Sequence, residues 1–144
     1  MLVYRLCSER FTALDGEGAR RYGGRWNSPG TAVIYTAETV SLAILETRVH
    51  LTAMPEDYVL LTIEIGDRHL PIMLPASWRL DTVATRLIGD RHFESNLLMP
   101  LKVPSVIASR DHNYVFSKEY AERHAEIISV ESFWLDRRLW TGPK

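Results

Sequence analysis

A single carboxylate inside an apolar helical stripe constrains this fold more than any other feature of the sequence. The residues from 40 to about 54 are predicted to form a helix, with Thr39 or Ser41 as N-cap and Pro55 as the stop signal. The helix neighbours of Glu46 at i±3 and i±4 are mainly apolar: Leu42, Ala43, Val49 and His50. Burying a lone carboxylate is costly unless a partner compensates it. Two interpretations remain open: a buried Glu–Arg ion pair, or an active-site carboxylate at the edge of a pocket.

The remaining elements predict an α+β fold. Short β-branched and aromatic runs predict strands over residues 2–6, 32–36, 58–65, 98–103, 106–108 and 126–134. Further helices are predicted over residues 81–97, where Gly89 and Asp90 could interrupt the helix, and over residues 118–124. Strands and helices do not alternate regularly, as they would in a doubly wound sheet. We therefore expect a compact single domain over residues 1–144, with short mixed or antiparallel strands and two or three helices.

A glycine-rich stretch separates the first two predicted strands. Residues 15–30 contain five of the eight glycines and three arginines, and they are predicted to form a long loop. Within it, the run Gly23-Gly24-Arg25-Trp26-Asn27 places a guanidinium beside flexible backbone, an aromatic ring and an amide. Such a fork suits phosphate oxygens, although neither a dinucleotide-binding turn nor a P-loop motif is present. An anion site and an ordinary surface loop both remain possible.

Charge and composition exclude several classes of function. The chain has 17 basic and 18 acidic residues, a net charge of −1, which disfavours direct nucleic-acid binding. Cys7 is the only cysteine, so no intramolecular disulfide can form. No apolar run reaches membrane-spanning or signal-peptide length, and we expect a cytoplasmic protein. The histidines lack metal-binding spacing, and no metal site is expected.

Several motifs, taken in order, resemble the RES domain family, the toxins of bacterial RES–Xre type II toxin–antitoxin pairs. They cover nearly the whole chain: Gly24-Arg25-Trp26-Asn27, residues 32–37 (AVIYTA), residues 41–46 (SLAILE), Val103-Pro104-Ser105, Asn113-Tyr114 and residues 133–139 (FWLDRRL). The arginine, glutamate and serine that give this family its name correspond here to Arg25, Glu46 and Ser105.

The resemblance implies a fold similar to the ADP-ribosyltransferases of the diphtheria-toxin type and chemistry on NAD as substrate. The expected reaction is cleavage of the nicotinamide–ribose bond by water or phosphate, and the alternative is transfer of ADP-ribose to a protein. Glu46, Arg25, Tyr35 and Ser105 are the implied catalytic residues. The residues expected to contact NAD are Arg5, Arg25, Tyr35, Trp26 and Asn27.

The resemblance also implies a protein partner. An NAD-cleaving domain would harm its host, so an Xre-type antitoxin is expected to form a hetero-oligomer with the chain and to block the active site. An alternative of another class is a non-catalytic binding module, in which Glu46 and Arg25 form a structural ion pair.

Overall fold

The computed structural model describes residues 1–142. Its strands are β1 (Leu2–Ser8), β2 (Val33–Ala37), β3 (Tyr58–Glu64), β4 (Leu70–Pro71), β5 (Leu101–Pro104), β6 (His112–Ser117) and β7 (Glu126–Ser132). The helices are α1 (Glu17–Tyr22), α2 (Val40–His50), α3 (Thr82–Glu94), α4 (Lys118–His124) and α5 (Arg138–Thr141), with one 3₁₀ turn at Glu9–Phe11. Among the residues described, no helix is both long enough and apolar enough to cross a membrane.

The seven strands form one mixed sheet in the order β4-β5-β6-β2-β1-β3-β7. Every neighbouring pair is antiparallel except β4 and β5, which are parallel. The predicted α+β class with short mixed and antiparallel strands is therefore confirmed. Within residues 1–142, five helices occur where two or three are predicted; the two that are not predicted, α1 and α5, are short segments of 6 and 4 residues.

The sheet is interrupted between β1 and β2. These two strands share a single register pair, Tyr4 with Ala37. Strand β1 pairs along its full length with β3, and β2 pairs along its full length with β6. The sheet therefore consists of two well-paired halves, joined at one point and separated beyond it.

Each face of the sheet carries its own apolar core. On one face, Leu61 and Phe116 are fully buried in a cluster that continues into α4. On the other face, Leu60 packs against Leu42 of α2, because successive strand residues point to opposite sides of the sheet. Helix α2 is thereby fixed across the junction between the two halves.

Helix α2 begins as predicted and ends earlier than predicted. The Thr39 hydroxyl accepts a hydrogen bond from the N–H of Leu42 at 3.1 Å, the N-cap interaction that the sequence indicates. The predicted continuation to residue 54 is wrong, because Leu51 already has extended backbone angles of φ −112° and ψ 127°. Helix α3 runs through Gly89 without interruption, and α4 has the predicted bounds.

The prediction of an uninterrupted loop over residues 15–30 is wrong, because α1 lies within it. Glu17 binds the guanidinium groups of Arg20 and Arg21 one turn later, which favours the helix locally. Gly16 and Gly23 have φ values of 65° and 71° at the two ends, a region that other residues rarely adopt. Two of the glycines in this stretch, Gly16 and Gly23, therefore mark the ends of a helix.

Near residue 105 the predicted strands are partly wrong. Residues 106–108 form bends, because the Ser105 hydroxyl accepts hydrogen bonds from the N–H groups of Ile107 and Ala108. The predicted strand over residues 98–103 is shifted to β5, and the predicted strand over residues 126–134 ends at Ser132. Strand β6 is absent from the sequence prediction although it lies inside the sheet.

The core assignment predicts a large loss of stability for Phe116→Ala. The Phe116 side chain has no exposed surface, and truncation of such a core residue typically costs about 3–5 kcal/mol in free energy of unfolding. Ile128→Thr on the half-exposed edge strand β7 serves as control, with an expected change within about 0.5 kcal/mol. Urea unfolding of both variants measures the difference, and equal losses would contradict the assignment of the core.

Candidate functional site

A cavity of about 710 Å³ opens where β1 and β2 separate. Its walls come from β1, β2, α2, the segment from α1 to β2, and the turn between β5 and β6. Six expected or newly found site residues line it: Arg5, Arg25, Trp26, Tyr35, Glu46 and Asn113. Residues far apart in the sequence therefore meet in one concave site, as is usual for small-molecule pockets.

Two neutral donors hold the carboxylate of Glu46. Its Oε1 atom accepts one hydrogen bond from Ser105 Oγ at 2.8 Å and another from Asn113 Nδ2 at 2.8 Å. No described residue donates a hydrogen bond to Oε2. Because Glu46 is half-buried and lines the cavity, this second oxygen is available to a molecule bound there.

The hydroxyl group of Ser105 accepts two hydrogen bonds and donates one. Ser105 is fully buried, and Oγ accepts hydrogen bonds from the N–H groups of Ile107 and Ala108, each at 3.1 Å. With those acceptor positions used, its single proton is donated to Glu46. Ser105 therefore fixes one carboxylate oxygen and does not itself line the cavity.

The ion pair between Glu46 and an arginine, one of the two interpretations that the sequence leaves open, does not form within residues 1–142. Within residues 1–142, no arginine or lysine nitrogen lies within 4.0 Å of the Glu46 carboxylate. The guanidinium of Arg25 instead donates from Nη1 to the carbonyl oxygens of Trp78 at 3.4 Å and Arg79 at 3.2 Å. The neutral donors Ser105 and Asn113 compensate the burial of the carboxylate without cancelling its charge.

The two arginines make the cavity favourable for anions. Arg5 is half-buried, and no described residue forms a salt bridge or hydrogen bond with its guanidinium. Within residues 1–142, Arg25 is bound only to backbone carbonyls, so it also lacks a carboxylate partner there. Glu46 is the one acidic side chain among the described residues that line the cavity. The cavity lining within residues 1–142 therefore carries two arginines and a single carboxylate.

Tyr35 joins the cavity wall to the loop that carries Arg25. Its hydroxyl donates to Asn27 Oδ1 at 2.7 Å and accepts from the N–H of Trp26 at 3.0 Å. Burial raises the pKa of the Tyr35 phenol above its ordinary value, and the hydrogen bond from Trp26 offsets only part of that effect. A Cβ atom at Gly24 would lie 2.6 Å from the Tyr35 hydroxyl oxygen, so only glycine fits there.

Asn27 and Trp26 lie beneath the surface of the loop. Asn27 is fully buried, and its Nδ2 donates to the carbonyl oxygens of Ala19, Ser28 and Thr31 at 2.9, 3.1 and 3.2 Å. Trp26 is 2% exposed and packs against Trp78 with 6.1 Å between ring centroids. Trp26 touches the cavity wall, whereas the polar atoms of Asn27 are used within the loop.

Nothing in the sequence alone marked Asn113 as a member of the site. Asn113 lies on β6, the strand that the sequence prediction misses, and pairs with Ala37 of β2. The available signal was the Asn113-Tyr114 pair within the family motifs, which gives no indication of a contact with Glu46.

No group of three or more potential metal ligands occurs within the described part of the chain.

Comparison with known proteins gives consistent matches. The sequence model of the RES domain matches residues 2–137. A protein of Photorhabdus laumondii named "Toxin Res" is 34% identical over 100% of both chains. A "Toxin Res" of Yersinia enterocolitica is 36% identical over 96% of this chain and 99% of its own length.

Two further matches extend the comparison. A protein of Sphingobium sp. named "Prs ADP-ribosylating toxin" is 34% identical over 76% of this chain and 74% of its own length. The crystal structure of the Mycobacterium tuberculosis MbcT–MbcA toxin–antitoxin complex contains a chain that superposes with a TM-score of 0.68. That match has 26% identity and covers 90% of this chain and 81% of the solved one.

The contacts of Ser105 predict that Ser105→Ala destabilises the fold. The substitution removes the donor to Glu46 and leaves the N–H groups of Ile107 and Ala108 without their acceptor, at a cost of about 1–3 kcal/mol in free energy of unfolding. Ser132→Ala at the exposed end of β7 is the matched control, expected within about 0.5 kcal/mol of wild type. Urea denaturation measures both values, and a silent Ser105→Ala would contradict the geometry.

The raised pKa of Tyr35 predicts a loss of stability at alkaline pH. A phenol that keeps its proton more tightly when folded contributes fully below the ordinary tyrosine pKa of about 10, and this contribution is lost as pH rises further. Tyr35→Phe should therefore lower stability at pH 8 but lose less additional stability than wild type between pH 8 and pH 11. Unfolding free energies across that range test the slope, and Tyr22→Phe, at a 76% exposed ring, should keep the wild-type slope.

Proposed function

The chain belongs to the RES domain family, and on that basis we propose that it is the toxin of a type II toxin–antitoxin system that consumes NAD. The proposed reaction breaks the bond between nicotinamide and ribose. The observation that carries the proposal is the cavity itself: within residues 1–142 it is lined by one carboxylate with an oxygen that accepts no hydrogen bond, and by two arginines that have no acidic partner. A dinucleotide with a pyrophosphate and a cationic ring matches that distribution of charge.

The chemistry requires one carboxylate and no general acid. When the C1′–N bond of NAD breaks, its electron pair neutralises the positive charge of the nicotinamide ring, which leaves without needing a proton. The ribose acquires oxocarbenium character, as in glycoside hydrolysis. A carboxylate beside the ribose stabilises that developing cation and can hold a ribose hydroxyl. Oε2 of Glu46 is the free atom suited to this role.

The other site residues take supporting roles in this proposal. Arg5 and Arg25 bind the pyrophosphate, for which the guanidinium fork is well suited. Tyr35 contributes its ring to the wall beside the nicotinamide, while its hydroxyl holds the loop through Asn27 and Trp26. Ser105 serves catalysis through Glu46, because its hydroxyl is committed to that carboxylate.

The acceptor of ADP-ribose distinguishes two versions of the activity. Attack by water or phosphate depletes NAD, whereas attack by a protein side chain modifies a target. The second version is favoured by one observation, the resemblance to the Sphingobium protein named an ADP-ribosylating toxin. Both versions use the same cavity, and labelled NAD in cell lysate separates them: label kept on a protein band indicates transfer, and free ADP-ribose or its phosphate indicates depletion.

A non-catalytic role has less support. It requires Glu46 and Arg25 to form a structural pair, and each binds other groups instead.

The proposal also includes an Xre-type antitoxin that covers the cavity, since unrestrained NAD consumption in the cytoplasm would harm the host. The similarity to a toxin of a solved toxin–antitoxin complex supports such a partner.

The proposal predicts that Glu46→Gln abolishes nicotinamide release from NAD by the purified chain. The amide keeps the shape of the side chain but removes the charge that stabilises the ribosyl cation, so the rate should fall by about 10²-fold or more. Chromatography of the reaction mixture measures released nicotinamide.

Glu131→Gln, on the exposed edge strand, makes the same change of charge outside the cavity and should retain the wild-type rate. Thermal unfolding checks that Glu46→Gln remains folded. Intact NAD after prolonged incubation with folded wild-type protein would refute the proposed function. A large drop in melting temperature with no change in NAD turnover would favour the structural role.

A further inference from the structure

Helix α3 forms hydrogen bonds with the backbone of the segment that carries Arg25. Thr85 is a fully buried polar residue, and its Oγ1 donates to the carbonyl oxygen of Arg25 at 2.7 Å. The next residue, Arg86, donates from Nε to the carbonyl oxygen of Gly24 at 2.8 Å. Two consecutive carbonyls of the segment are therefore bound by two consecutive helix residues.

One turn later the same helix face makes two further contacts. At Gly89 the helix approaches so closely that an added Cβ would lie 1.7 Å from the carbonyl oxygen of Trp26. Asp90 accepts a hydrogen bond from the N–H of Ser28 through Oδ1 at 2.8 Å. Positions i, i+1, i+4 and i+5 of a helix lie on one side, so these contacts form a continuous strip along α3.

We propose that these four residues of α3, the α3 clamp (Thr85, Arg86, Gly89 and Asp90), position Arg25 for binding the substrate's pyrophosphate. This inference rests on the proposed function, because it assumes that Arg25 contacts NAD. The clamp fixes the carbonyls on both sides of the Arg25 N–Cα unit, so the long side chain starts from a defined backbone orientation. Holding that orientation before binding reduces the entropy lost when the substrate is bound.

The composition of this helix face supports a positioning role. Its buried residues are Thr85, Gly89 and His92, small or polar where a packing face would be apolar, while Val83 and Leu87 are exposed on the other side. A threonine hydroxyl inside a helix commonly bonds to the carbonyl three or four residues earlier. Here the carbonyl of Arg25 is the nearest acceptor, at 2.7 Å against 3.2 Å for Thr82 and 3.3 Å for Asp81.

The test uses Thr85→Val, which keeps the shape of the side chain and removes its donor, and Thr85→Ser, which restores the hydroxyl. Thr85→Val is expected to raise KM for NAD by about three- to tenfold, the equivalent of one lost hydrogen bond, and to leave kcat within about twofold. Thr85→Ser should return KM close to the wild-type value. KM is expected to change while kcat does not, because Glu46 lies on α2 and is not held by the clamp.

A second pair of variants removes equal charge from the two sides of the helix. Arg86→Gln takes away the donor to Gly24, whereas Arg91→Gln changes an exposed arginine for which no described residue is a partner. KM should rise for Arg86→Gln and stay unchanged for Arg91→Gln. Amide hydrogen exchange of the segment Gly24–Ser28 should be faster in Thr85→Val and Arg86→Gln than in Thr85→Ser and Arg91→Gln.

Each outcome decides the inference. Unchanged KM in Thr85→Val and Arg86→Gln, with active wild-type protein, overturns the positioning role even if exchange becomes faster. Unchanged exchange in both variants overturns the clamp itself. If wild-type protein leaves NAD intact, the proposed function fails and with it the role toward NAD, while faster exchange would still support the clamp as a restraint on the Arg25 backbone.

Discussion

The arrangement of the site depends on how one carboxylate is held by hydrogen bonds while it is partly removed from water. Glu46 is bound by Ser105 and Asn113, which lie 59 and 67 residues further along the chain. An arginine would have offered a stronger attraction and would also have neutralised the charge. Neutral donors satisfy one oxygen and leave the negative charge directed at the cavity. The same two contacts join α2 to the β5–β6 turn and to β6, so the chemistry and the packing of the site share one set of bonds.

The interruption of the sheet explains why the cavity lies where it does. If β1 and β2 paired along their whole length, their side chains would alternate across a closed surface. With only Tyr4 and Ala37 in register, both strands contribute residues to the space between them, including Arg5 and Tyr35. Helix α2 spans the same junction and brings Glu46 to it. A defect in sheet pairing is thus the structural origin of the site.

The sequence predicted the local parts of this site and missed the long-range ones. Periodicity and the N-cap at Thr39 predicted α2 and the unusual environment of Glu46, because both depend on neighbours within one or two helical turns. The identity of its partners depends on which strand lies beside α2, and β6 was not predicted. Residues 106–108 have strand-like composition, yet bonds from their backbone to the Ser105 side chain outweigh that preference.

Helix α3 shows how a departure from a local rule can indicate a contact. Glycine within a helix is less favourable than alanine by about 1 kcal/mol, and Asp is also a weak helix former, so Gly89-Asp90 suggested an interruption. The helix continues because the missing Cβ admits the backbone of Trp26 and the aspartate accepts the N–H of Ser28. The cost within the helix is offset by contacts to a segment 60 to 62 residues earlier. Gly89 and Asp90 do not favour a helix by themselves, and they are the residues through which α3 contacts the loop that carries Arg25.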